Sequence, residues 1–116
     1  MSFRTHWTSE ADRAYLGLMA AAAKALQNRK RTGSTKASKA EGLFKQVEKC
    51  VQLLVTNPRH PGLSTHEFSS IQNPFDPAAK VFEAYAQNRT PGAYRVFWCY
   101  GPDKGDITIV AITPHP

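Results

Sequence analysis

The side chains able to carry acid–base and phosphate chemistry are few in this chain. They are the arginines Arg59 and Arg95 and the histidines His60, His66 and His115. Imidazoles titrate close to neutral pH and suit proton transfer. Guanidinium groups orient phosphates and steady developing negative charge. Metal-free RNA cleavage needs these parts: a base for the ribose 2′-hydroxyl, a cation for the phosphorane, and an acid for the departing 5′-oxygen. The four histidines, His6 included, and the two cysteines Cys50 and Cys99 match no zinc-ligand spacing. No nucleophile triad and no glycine-rich phosphate loop is recognisable. Neither a metal nor a cofactor is expected.

These residues sit on three kinds of support. Arg95 lies in Tyr94–Tyr100, the clearest strand pattern of the chain. Alternation there sends Tyr94, Val96, Trp98 and Tyr100 to one face and Arg95, Phe97 and Cys99 to the other. Arg95 also has a plainer reading, as a salt bridge to Glu83 on the preceding strand. Arg59 and His60 lie in Asn57-Pro58-Arg59-His60-Pro61-Gly62-Leu63, which two prolines stiffen, and His66 follows it. His115 stands between Pro114 and Pro116, just past the last strand.

The positioning elements read as follows. Ser2 to Trp7 alternates like a short strand. Thr8 and Ser9 offer a helix cap, and Ser9 to Asp12 resembles a capping box. Tyr15, Leu18, Met19, Ala22 and Leu26 form an apolar stripe, so a helix is expected from about Glu10 to Asn28. Residues 29–39 read as a mobile basic loop. Ser38 to Glu41 is a second capping box, opening a helix that stops near Thr56 because Pro58 disfavours helical backbone at Asn57. Beyond it, His66 to Ile71, Val81 to Gln87, Tyr94 to Tyr100 and Ile107 to Ile112 are strand candidates. Asn73 to Pro77 breaks them, and turns fall at Thr90–Gly92 and Gly101–Gly105. The order predicts one α+β domain over residues 1–116. An N-terminal strand and a helical hairpin precede a three- to four-stranded, mainly antiparallel sheet packed on the helices.

Fifteen Lys and Arg stand against nine Asp and Glu in 116 residues, a formal charge of +6. The excess is in the first half. The stretch from Arg29 to Lys49 carries seven basic residues, among them Lys45 and Lys49, against Glu41 and Glu48. Such a surface attracts nucleic acid or an acidic protein segment, and equally serves as a solvated helix face. No apolar run approaches the roughly 20 residues of a membrane span. No signal-like stretch opens the chain, so a cytoplasmic location is expected.

On Asn57 to Leu63 with Thr65-His66, Tyr94-Arg95-Val96-Phe97-Trp98, and Ile107 to His115, the sequence resembles the RelE/ParE toxin superfamily. The resemblance covers roughly residues 41–116. It implies a toxin of a bacterial toxin–antitoxin pair, neutralised by an acidic antitoxin. RelE-like members cleave mRNA in the ribosomal A site and so repress translation, and ParE-like members act on DNA gyrase. By position, Arg95 matches the strand arginine that contacts the scissile phosphate. His115 falls where an acid or base follows the final strand. Glu83 and Tyr85 stand where RelE has two lysines, and the chain ends at Pro116 without the terminal tyrosine common in the family. Glu83 is then the candidate base. The resulting expectation is a ribosome-dependent endoribonuclease with Arg95, His115 and Glu83 catalytic. Arg59, His60, His66, Lys45 and Lys49 would bind RNA phosphates. The alternatives are a ParE-like gyrase inhibitor and an inactive toxin-fold binding protein.

Overall fold

A computed structural model describes residues 3–87 and 92–114. His115, and Thr90 and Pro91 of the expected turn, lie outside the described residues, as does Ser2 of the expected first strand. The element order is β1 (Arg4–Trp7), α1 (Ser9–Thr32), α2 (Lys39–Thr56), a 3-10 turn (Pro61–Leu63), β2 (His66–Glu67), β3 (Phe82–Tyr85), β4 (Tyr94–Tyr100) and β5 (Asp106–Pro114). The five strands form one sheet in the order β1-β5-β4-β3-β2. Four strands pair antiparallel in sequence, and β1 joins β5 in parallel. The α+β architecture is the expected one. The sheet is mixed rather than purely antiparallel because the N-terminal strand closes its far edge.

Local chemistry sets the helix ends. Thr8, not Ser9, caps α1, accepting from the Ala11 amide. α1 runs four residues past the expected stop at Asn28, so the basic loop assigned to 29–39 shrinks to 33–38. Gly33 is the reason. It takes a left-handed conformation (φ 77°), and the amides of Gly33 and Ser34 close on the carbonyls of Lys30 and Arg29. Arg29, Lys30 and Arg31 therefore lie in the last helical turn, where cations are favoured by the helix dipole. α2 begins with the expected capping box between Ser38 and Glu41 and ends at Thr56 as expected.

Glu41 does a second job. Both its carboxylate oxygens accept from Arg29, at 2.9–3.2 Å, and so clamp the end of α1 to the start of α2. The Arg29 bond first, and the Ser38 amide second, hold the Glu41 carboxyl at about 2. A carboxyl lowered on folding adds stability that is full above its unfolded range near pH 4–5 and fades as pH falls towards 2. Thermal melts should show Tm dropping across that window, and Glu41→Gln should flatten the drop while lowering Tm at pH 7.

The helical hairpin covers one face of the sheet. Val47, Cys50, Val51 and Leu54 of α2 pack on Ala84, Val96, Trp98, Ile107, Ile109 and Ile112. β4 alternates as expected, with Val96 and Trp98 on the helix side and Phe97 and Cys99 opposite. β5 does not keep strict alternation. Phe97 pairs with Ala111 but Trp98 pairs with Ile109, so Val110 is an extra residue in a bulge. The bulge lets Ile107, Ile109 and Ile112 all face the helices.

The outer face is covered differently at its two ends. β2 is only two residues long, shorter than the expected His66 to Ile71, because residues 68–81 leave the sheet edge and fold over the outer face. There Phe68 and Ile71 pack on Val81, Phe97, Cys99 and Val110. Asn73 is buried and organises this loop: its amide donates to the Lys80 carbonyl and its oxygen accepts from Phe75 and Asp76. Cys50 and Cys99 lie on opposite sides of the sheet, and burial pushes their thiols up to about 12 and about 11. Neither is a thiolate nucleophile.

Candidate functional site

Residues directly opposite each other in antiparallel strands point to the same face. His66 is opposite Glu83, and Tyr85 is opposite Arg95. Glu83 and Tyr85 are two apart on β3, so they share that face. The register therefore brings four side chains together on the outer face. His66 Nε2 lies 2.6 Å from Glu83 Oε1. The His66 ring meets Tyr85 edge-on at 5.5 Å between centroids. The Arg95 guanidinium carbon stands 3.9 Å over the Tyr85 ring, and its Nη1 donates to the Tyr94 carbonyl at 3.1 Å.

Burial orders the cluster. The His66 side chain is 47% exposed, whereas Glu83 is 0% and Arg95 2% exposed. A ligand arriving from solvent meets the imidazole first. The carboxylate and the guanidinium act from behind it. Each His66 ring nitrogen faces an oxygen, Glu83 Oε1 on one side and the Ser64 carbonyl at 3.3 Å on the other. The ring is thereby held between the two oxygens. The arrangement can take a proton from an incoming hydroxyl and present a positive field to an anion, in surroundings drier than bulk water.

The other expected residues fall elsewhere. Arg59 and His60 line a cleft with Phe82, Trp98 and Tyr100 on the helix-side face. The sheet therefore separates them from Arg95, and the single basic cluster expected from the sequence divides in two. His60 is the cap of the 3-10 turn, its Nδ1 accepting from the Gly62 amide at 2.9 Å. Lys49 borders a small cleft of about 230 Å³ with Gln46, Gly62 and Tyr85, so it reaches the β3 edge beside the cluster. Lys45 is exposed on α2. Among the described residues, no three His, Cys, Asp or Glu side chains gather closely enough to hold a metal ion. No helix among them is long and apolar enough to cross a membrane.

A further group was not foreseen. Asp106, buried at the start of β5, accepts from Arg4 Nε at 2.7 Å and lies 3.0 Å from His6 Nε2. Burial pushes its carboxyl up, but these bonds outweigh that and hold it below the usual range. It pins β1 to the sheet, which explains why the short, polar Arg4–Trp7 strand pairs at all. A charged pair at matching positions of the two strands was the available signal, but the partner of β1 cannot be read from local pattern.

No protein-family model matches the chain. No curated protein matches it either. Among solved structures the chain is similar to a chain of the crystal structure of the archaeal RelE–RelB complex from Pyrococcus horikoshii OT3. The two are 14% identical with a TM-score of 0.55, over 98% of this chain and 96% of that one. The likeness spans the strand, the helical hairpin and the sheet alike, and the chain shares the fold of that chain.

Proposed function

We propose that this protein is the toxin of a toxin–antitoxin pair and a metal-free endoribonuclease that cuts mRNA on the ribosome. The observation that carries the reading is the His66–Glu83 contact of 2.6 Å beside the Arg95 guanidinium. The fold likeness supports the class, and the similar structure is a complex with RelB. The net charge of +6 suits both a ribosomal RNA surface and an acidic antitoxin.

In the reaction, the Glu83–His66 pair takes the ribose 2′-hydroxyl proton. The 2′-oxygen bonds to phosphorus, and the bond to the 5′-oxygen breaks. Arg95 stabilises the phosphorane charge from below, and Lys49 holds a neighbouring phosphate. His115, placed after β5, gives the leaving oxygen its proton. Arg59, His60 and Lys45 contribute to RNA binding at a distance from the bond that breaks.

A second reading is a binding module, either ParE-like and directed at gyrase or without toxicity. The near-complete burial of Arg95 favours it, because a buried guanidinium also serves as a structural stack on Tyr85. Inducible expression with primer extension on translated mRNA separates these readings. The wild type should arrest growth and leave discrete cuts. Glu83→Gln, which keeps shape and loses the base, should reduce cutting about 100-fold or more. Arrest without cuts but with gyrase inhibition would establish the ParE-like reading. Normal growth without antitoxin would establish the inactive one.

A further inference from the structure

The helical layer ends before the sheet does. α2 stops at Thr56, and the segment 57–65 follows it with only a short 3-10 turn at Pro61–Leu63. Between that segment and the helix-side face lies a cleft of about 380 Å³, within the usual range of roughly 300–1,000 Å³ for small-ligand sites. Its wall is aromatic. The Phe82 and Trp98 rings stack at 4.9 Å and 27°, and Tyr100 stands edge-on to them at 5.9 and 5.0 Å.

Two polar atoms of lining residues are buried without a hydrogen-bond partner: Trp98 Nε1 and Thr65 Oγ1. Buried donors are nearly always satisfied, and leaving one unmade is costly. That two orphans border one cleft points to a ligand that supplies an acceptor. Among the described residues, the permanent charge on the lining is the Arg59 guanidinium, and no carboxylate lines it. The cleft thus offers a flat π-surface, an N–H donor, a hydroxyl and a cation. That set selects a planar ring with acceptors on its edge and an anionic group attached.

We infer that this cleft binds a nucleoside monophosphate unit, its base against Phe82 and Tyr100 at the rim of the buried Trp98 and its phosphate on Arg59. The site is on the opposite face of the sheet from His66 and Glu83, and it does not depend on the ribonuclease reading. Calorimetric titration of the full chain with the four nucleoside 5′-monophosphates, the matching nucleosides and single-stranded trinucleotides tests it. The Trp98 indole N–H resonance is followed in parallel. Saturable binding that shifts that resonance is expected, with nucleosides about tenfold weaker than nucleotides. Arg59→Gln should erase the difference between nucleotide and nucleoside. Trp98→Phe, which keeps the ring stack and removes the N–H, should weaken binding about tenfold. Saturation by mononucleotides identifies a free nucleotide as the ligand, and saturation by trinucleotides alone identifies an RNA strand. Absence of saturable binding to either, or binding unchanged in both variants, overturns the inference.

Discussion

Arg95→Met should reduce mRNA cleavage by about 100- to 1,000-fold while the chain still unfolds cooperatively. The magnitude follows from the loss of one preorganised charge stabiliser in a water-poor site. Met retains much of the arginine stem volume, so the Tyr85 ring keeps a neighbour where Ala would leave a void. The charge disappears while most of the packing stays. Arg95→Lys sharpens the point. It restores a positive charge but not the planar group that lies 3.9 Å over Tyr85, and it should recover only part of the cleavage. Primer extension gives the activity and a urea melt gives the stability. A stable Arg95→Met variant that cleaves like the wild type would make Arg95 a structural stack and return the function to the binding reading.

The largest stability effect should come from Trp98→Ala. Trp98 is 1% exposed, sits in the middle of the helix-side core and stacks on Phe82. Truncating such a residue costs about 3–5 kcal/mol. Domains of this size hold only about 5–15 kcal/mol in all, so the variant should lose a large fraction of its stability. Trp98→Phe is the informative companion. It loses volume, but it also removes an indole N–H that has no partner, and that removal offsets part of the loss. The expected cost is below about 1.5 kcal/mol. Denaturant midpoints should therefore separate the two variants widely. Equal midpoints would mean that the ring stack contributes little and the N–H is satisfied in solution.

Much of this frame was legible because it is local. The capping box at Ser38 and the proline after Thr56 bounded α2, and the alternation of Tyr94–Tyr100 set Arg95 on the face opposite Val96 and Trp98, while packing decided which face meets the helices. The misread ends also have local causes. Gly33 closes α1 through a left-handed cap one turn beyond where the polar residues suggested a stop. Asn73 folds the segment after Glu67 onto the sheet instead of extending β2. The site was less legible, because its members meet through register. Nothing in His66 or Glu83 alone says that the two strands align them. Nor does sequence separation reveal that Arg59 and His60, only a few residues before His66, lie across the sheet from it. The crossing of segment 57–65 at the end of α2 decides that, and it is a tertiary event.

The extra residue at Val110 puts the two halves of β5 out of phase with each other. Losing one residue at that point would bring them back into step with every isoleucine still facing inward. The same loss between Ile107 and Ile109 would turn one of them to the wrong side. Length variation in this strand is therefore confined to the Val110–Ala111 step, where both side chains face outward, and the hairpin facing β4 can change length there without disturbing the helices beneath.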